Sequence, residues 1–189
     1  MAKTAGRDAA ATRELILRAA QDVVLTDGVA HLTLAKAAAR AGVSKGGVLY
    51  HFATRNDLIA AMVERLIARF QSGLDDVRSA HPQHSFARVY VEECLVEEPA
   101  EQADAHHEAR VGAALLAAVA AEPELLAPLR AAFGRWQQQI EQAADPVGAT
   151  VARLAADGLW LCELFGIDAL TPHRREQVAE RLRHLTDPA

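Results

Sequence analysis

The chain has 189 residues, 51% of them hydrophobic but only 5% aromatic, and a formal net charge of −5. That length fits one large domain or a small head on a larger body, and a core built mainly from Ala, Leu and Val, with no runs alternating at period two, predicts an all-helical protein. The longest uncharged run, 111–121, is far below the ~20 residues that cross a bilayer, and the N-terminus has no apolar stretch of signal-peptide length, so a soluble, cytoplasmic protein with no membrane partner is expected.

The first eleven residues lack periodicity and read as a loose arm. Thr12 then stands as the N-cap of a first helix, with Glu14 near its positive end. Leu15, Ile16, Ala19, Val23 and Val24 form one apolar face, and Asp27-Gly28 ends the helix with a glycine suited to a left-handed cap. Thr33 caps a second helix over 34–41, and Ser44 caps a third over 45–52. Between them lies the tight turn Ala41-Gly42-Val43, where Gly42 can take positive φ.

Thr54-Arg55-Asn56-Asp57 resembles a capping box with Asp in place of Glu or Gln. It opens a fourth helix, 55–78, whose apolar positions Leu58, Ile59, Met62, Val63, Leu66, Ile67 and Phe70 keep the 3.6 period. Residues 79–85 form a loop. Further helices are predicted at about 86–98, 103–121, 123–142, 147–165 and 172–185, punctuated by Pro99, Pro123, Asp145-Pro146 and Thr171-Pro172. Cys94 and Cys162 sit in apolar helical patterns without CxxC spacing and read as reduced thiols.

Two short helices, a tight turn and the start of another helix make the layout of a helix-turn-helix, whose second helix enters the major groove of DNA. Ala37, Val43, Val48 and Phe52 are spaced to fill its small core, with Ala38 small where the helices cross. Ser44, Lys45, Tyr50 and His51 can then face outward. Gly46 and Gly47 each cost on the order of 1 kcal/mol in a helix relative to alanine, a cost best tolerated where bare backbone must lie against a groove wall. The amides after Thr33, Ser44 and Thr54 can hold phosphate oxygens. The Thr33 and Ser44 hydroxyls, Tyr50, His51 and Arg55 add phosphate contacts, and Lys45 reaches a phosphate or a base edge. Charge agrees: residues 1–60 carry eight Lys/Arg against five Asp/Glu, while the rest carries 12 against 20, so a polyanion is directed to one end.

The run Thr33-Leu34 through Ala41-Gly42-Val43-Ser44-Lys45-Gly46-Gly47-Val48-Leu49-Tyr50-His51-Phe52 to Arg55 resembles the DNA-binding head of the tetracycline-repressor (TetR) family. The likeness spans roughly residues 12–60. It implies that Lys45, Gly46, Gly47, Tyr50 and His51 lie on the recognition helix, and Arg55 stands where that family often has lysine. Residues 154–165, LAADGLWLCELF, are similar to the penultimate helix of some members. The resemblance further implies an all-α homodimer: a three-helix DNA-binding head, then a helical-bundle body for ligand binding and dimerisation, about nine helices in all. The last two helices of each subunit would pair with those of the other, and a small molecule in the body would spread or lock the heads.

The domain division expected is a head over 1–55, the fourth helix as connector, and a body over 56–189. Independently of the resemblance, the 147–165 helix places Val151, Leu154, Ala155, Gly158, Leu161, Cys162 and Phe165 on one broad face fit for pairing. Two recognition helices about 34 Å apart predict a short palindromic operator. Tyr90, Cys94, Phe133 and Trp136 fall at helical spacing and are first of all core; Tyr90 and Trp136 are also candidate walls of an effector pocket.

His81, His84, His106 and His107 lack the i, i+4 spacing of paired ligands and read as solvated, so neither metal nor cofactor is expected. Glu92, Glu93, Glu97, Glu98, Glu101 and Asp104 read as a solvated face, with a pocket for a cation as the rival. Asp157 and Glu163 either pair across a dimer or reach solvent. No phosphate loop, nucleophile–base pair or metal constellation supports an enzyme. The expected function is a sequence-specific transcriptional regulator, a repressor released from its operator by a small molecule; the alternative is an architectural or partner-binding DNA-binding protein without an effector.

Overall fold

The computed structural model describes residues 2–95, 110–116 and 123–187. Among them there are helices and turns but no strand. The helices are α1 (Ala2–Asp27), α2 (Leu34–Ala41), α3 (Lys45–His51), α4 (Arg55–Ala80), α5 (Phe86–Leu95), α6 (110–116), α7 (Ala127–Ile140), α8 (Pro146–Leu164) and α9 (Pro172–Thr186). Short 3-10 turns at Val29–His31 and Pro123–Leu126 precede α2 and α7. The chain divides into two compact units: Met1–Leu66 with His107–Pro128, and Ile67–His106 with Leu129–Ala189. Helix α4 supplies residues to both.

In the first unit, α1 packs on α2 and on the turn before it, and α3 packs on α2. Its buried side chains include Ile16, Leu17, Ala20, Val23, Val24, Leu32, Ala37, Val48, Phe52, Leu58, Ile59 and Met62. Two expectations fail here. Helix α1 begins at Ala2, so Thr12 is an interior residue and residues 2–11, expected as a loose arm, are helical; Ala9, Ala10 and Ala11 are strong helix formers that carry the helix back past Thr12. Leu15 is exposed, and Leu17 and Ala20 take its place in the core. The buried arc is centred near Ile16 and Ala20, and Leu15 projects about 100° from Ile16 on the side away from Leu17.

In the second unit, one cluster holds Leu74 of α4, Tyr90 and Cys94 of α5, Trp136 and Ile140 of α7, Ala149, Ala152 and Ala156 of α8, and Leu182 of α9. The three alanines fall at spacings of three and four on α8, and their small size lets α5 approach it. Phe70 packs at 5.2 Å from Tyr90 and 4.9 Å from Trp136, ring centre to ring centre. Asp145 caps α8 by accepting from the Gly148 amide at 2.9 Å, and Thr171 caps α9 by accepting from the Arg174 amide at 3.3 Å.

Smaller differences concern boundaries. Helix α4 runs to Ala80, so the loop starts at 81 rather than 79. The stretch from Pro123 opens as a 3-10 turn before the α-helix, with Pro128 in its first turn, where a missing amide costs little. The helix predicted from 86 begins there, at Phe86; its predicted end at 98 and both ends of the helix predicted over 103–121 lie outside the described residues.

Candidate nucleic-acid interface

Three caps set the geometry of the helix-turn-helix. Thr33 Oγ1 accepts from the Lys36 amide at 3.1 Å, and Ser44 Oγ accepts from the Gly47 amide at 3.0 Å. Both residues are exposed, and a hydroxyl that accepts one bond still has its O–H to donate. Gly42 adopts φ 67°, ψ 26° at the C-cap of α2, where its amide bonds back to Ala39 and the Val43 amide reaches Ala38. That left-handed turn requires glycine. Gly28 also has positive φ, 85°, but its ψ of 157° lies outside the left-handed helical region anticipated for it.

With α3 fixed, Val48 points fully into the core and Phe52, which ends the helix, is buried beside it. Lys45, Gly46, Leu49 and Tyr50 are exposed, and Tyr50 is 80% exposed. His51 is half-buried, its ring edge-on to Tyr50 at 5.0 Å. Gly46 and Gly47 are not demanded by packing inside the chain. A Cβ on Gly46 would meet nothing nearer than the Ser44 hydroxyl at 3.9 Å, and one on Gly47 would meet that hydroxyl at 3.4 Å. Both distances are ordinary contacts, so packing within the chain does not require glycine at either position.

Thr33 thus stands exposed at the N-terminus of α2, Ser44 at that of α3, and Lys45, Gly46 and Tyr50 on the exposed face of α3, with half-buried His51 at its end. Arg55 differs. Its Nε donates to the Leu32 carbonyl at 3.1 Å and Nη2 to the Val29 carbonyl at 3.1 Å, so its guanidinium is tied to the 3-10 turn before α2. The Thr54 capping box forms in both directions: the Thr54 amide donates to Asp57 Oδ2 at 2.8 Å, and the Asp57 amide to Thr54 Oγ1 at 3.1 Å. The Asp57 carboxylate therefore already faces the positive end of α4, which makes that terminus a poor phosphate seat compared with those of α2 and α3. At the other edge, Lys36 bonds Asp27 at 2.6 Å and Arg40 reaches the Thr26 hydroxyl at 3.3 Å. The Lys36 hydrogen bond holds the Asp27 carboxyl below its usual range.

The candidate effector residues Tyr90, Cys94, Phe133 and Trp136 come together in the second unit. Phe133 and Trp136 rings lie 5.3 Å apart, Tyr90 and Trp136 6.0 Å. Their polar tips are satisfied within the chain: Tyr90 Oη donates to Asp157 Oδ1 at 2.8 Å, and Trp136 Nε1 donates to Gln71 Oε1 at 3.0 Å. Burial, then the neighbouring Cys94 and Asp157, push the Tyr90 hydroxyl upward; burial likewise raises the Cys94 thiol. Burial also raises Asp157, against the Tyr90 hydrogen bond and the Arg153 charge.

Arg153 Nη1 donates to Asp157 Oδ2 at 2.8 Å, and its guanidinium carbon stands 5.8 Å from the centre of the Phe133 ring. Asp157 and Glu163 both find partners within the chain, Glu163 through Arg175 at 2.9 Å. Sequence reasoning did not connect Gln71, Phe70 or Arg153 with this cluster. Two open grooves, one along Asp76, Val77, Ala80, His81, Glu92 and Leu95 and one near Leu170 and Pro172, include none of the four candidates.

His81 and His84 stack at 4.7 Å, and no group of three or more metal-ligating side chains is present among the described residues; His106 and His107 lie outside them. Glu92 is held by Arg88 at 2.7 Å and Arg183 at 3.1 Å, and the Glu93 carboxylate lies over Gly73, where a Cβ would require that carboxylate to shift. Glu97, Glu98, Glu101 and Asp104 lie outside the described residues. No helix among the described residues is long and apolar enough to cross a membrane.

Comparison with known proteins agrees with this geometry. Residues 16–62 match the profile of bacterial regulatory proteins of the tetR family, and residues 84–187 match the tetracyclin repressor-like C-terminal domain. The HTH-type transcriptional repressor BepR of Brucella suis biovar 1 (strain 1330) is 40% identical over 78 residues, which are 40% of this chain and 36% of BepR. The chain thus matches little more than a third of that relative's length.

Among solved structures, SCO7518 from Streptomyces coelicolor A3(2) superposes with a TM-score of 0.71 at 24% identity, covering 93% of this chain and 98% of the other. The multidrug binding protein EbrR, complexed with ethidium, gives a TM-score of 0.60 at 26% identity, covering 93% and 98%. With more than half of its residues matched by the C-terminal profile and its helix-turn-helix by the N-terminal one, the chain belongs to the tetR family of bacterial regulatory proteins.

Proposed function

We propose that the protein is a cytoplasmic transcriptional repressor that binds a palindromic operator as a homodimer and is released by a small molecule. The observation that carries DNA binding is the α3 surface: exposed Lys45 and Tyr50 flank a glycine whose missing side chain nothing inside the chain requires. The amides at the N-termini of α2 and α3, with the Thr33 and Ser44 hydroxyls, seat phosphates. Gly46 and Gly47 let the helix approach closely, and His51 borders the same surface. Arg55, through its bonds to Leu32 and Val29, serves chiefly to hold the turn that presents Thr33 and α2. In domain terms, residues 1–55 act as the reading head, α4 as connector, and 56–189 as the regulatory body.

Support for the homodimer comes from α8. Val147, Val151, Leu154, Leu161 and Phe165 are large, apolar and exposed at spacings of three, four and seven, with the exposed Gly158 between them. A monomer has no reason to keep such a stripe in water; a second copy of α8 and α9 covers it.

Support for a small-molecule effector comes from the aromatic cluster around Tyr90, Cys94, Phe133 and Trp136, which Asp157 and Arg153 contact through Tyr90 and Phe133, and from the likeness to a multidrug binding protein. The reading is tested by a thermal-shift screen with lipophilic aromatic cations, ethidium first. Stabilisation by a compound that also lowers operator affinity is expected. Operator binding that no compound changes would favour a DNA-binding protein without an effector.

A further inference from the structure

Leu49 has no place in the fold's core and none among the phosphate contacts. It sits on the outer face of α3, 44% exposed, one helical turn after Lys45 and beside Gly46 and Tyr50, while its neighbour Val48 is wholly buried. Exposure alone says little, since single exposed leucines are common and Leu15 is as open. Position decides: this is the only large aliphatic side chain on the face of α3 that turns away from the core.

If that face enters the major groove, as proposed above, Leu49 meets base edges. Those edges offer hydrogen-bond donors and acceptors, with one apolar exception, the C5-methyl of thymine. A leucine laid over an amino group, N7 or O6 strips water from it without returning a hydrogen bond, which is unfavourable. Laid over a methyl, it buries apolar surface on both sides. Reach is the remaining requirement, because leucine is short. Gly46, on the same face, carries no side chain, and only the Ser44 hydroxyl would come within 4 Å of a Cβ there, so the helix can sit deep enough for a short side chain to touch a base.

We infer that Leu49 is a specificity-determining residue that reads a thymine methyl at a fixed position in each operator half-site. This rests on the DNA-binding reading, and the test separates the two. Duplexes are enriched from a random pool with the purified chain, and each thymine of the enriched duplex is replaced in turn by uracil, which removes only the methyl. Affinity of the native chain should fall about fourfold at one position per half-site, the factor for burying one methyl-sized group, and about fifteenfold with both half-sites substituted. Leu49→Ala should bind thymine and uracil duplexes alike, within about twofold, with unchanged thermal melting because the side chain is outside the core.

A native chain that tolerates uracil everywhere, or a loss that persists unchanged in Leu49→Ala, overturns the inference while leaving DNA binding intact. A pool that yields no enriched duplex overturns the DNA-binding reading itself, and the inference with it.

Discussion

Arg55 Nε donates to the Leu32 carbonyl across 23 residues of chain, at 3.1 Å. With the parallel bond from Nη2 to the Val29 carbonyl, the first residue of α4 fastens the turn from which α2 starts. Hydrogen bonds from a charged donor contribute roughly 1.5–3 kcal/mol each, and the planar guanidinium can span two carbonyls where a lysine ammonium cannot.

Arg55→Ala should therefore lower stability by about 2 kcal/mol in urea denaturation, and Arg55→Lys should recover only part of it. Operator affinity should fall in both, with the dependence of log K on log salt unchanged. A slope reduced by about one ion in Arg55→Ala would instead mark the guanidinium as a phosphate contact.

Gly46→Ala should separate stability from function. Alanine is the better helix former, and its Cβ would meet nothing nearer than 3.9 Å, so the melting midpoint should rise, by a few tenths to about 1 kcal/mol. Operator affinity should drop about tenfold or more, because the added methyl lies where backbone meets the groove. Equal or stronger binding by the stabilised variant would contradict the close approach assigned to α3.

Acid stability depends on Glu92. Burial acts to raise its carboxyl, but hydrogen bonds and charge from Arg183 and Arg88 prevail and hold it below its ordinary value of 4.5. The ionised group thus contributes stability above about pH 4.5, and that contribution is lost as pH falls through the lower folded-state value. Asp157, raised by burial, acts in the opposite sense. Urea midpoints measured from pH 3 to 7 should fall less steeply on the acid side for Glu92→Gln than for the native chain. The difference is on the order of 1 kcal/mol, since the pair is partly open to water.

The α8 stripe predicts an association defect with no folding defect. Leu154→Asp places a charge in the middle of the exposed apolar row, where a second copy would bury it unpaired, at a cost of several kcal/mol. Light scattering should report dimers for the native chain and monomers for the variant, with the same helical circular dichroism. Dimers in both would move the interface elsewhere.

Local signals made much of this fold readable in advance. Thr33, Ser44, Asp145 and Thr171 cap helices within three residues of themselves, and the Thr54–Asp57 box closes over the same distance; such interactions are written in adjacent letters. Gly42 supplies the left-handed backbone that the short connection between α2 and α3 adopts, a conformation side chains disfavour even where space is open. What escaped depends on distant partners. Leu15 and Leu17 look alike to a periodicity argument until the helices packed on α1 select the buried arc. The start of α1 had no stop signal to mark it, and alanine propensity decided. Tyr90 and Asp157 bond across 67 residues, and Trp136 and Gln71 across 65, so nothing near any of them announces the network. Leu49 carries no local signal of exposure either, because only the packing of Val48 into the core shows which face of α3 is turned outward.

The most direct test of the central claim compares the native chain with the double variant Lys45→Ala, Tyr50→Phe by fluorescence anisotropy, on an enriched duplex and a scrambled one at fixed salt. Both side chains are exposed, so the variant should melt with the native chain. The native chain should prefer the enriched duplex by about a thousandfold or more, and the variant should lose most of its affinity. Equal affinity for the two duplexes, or a double variant that binds as the native chain does, would contradict the assignment of the α3 surface as the DNA-reading face.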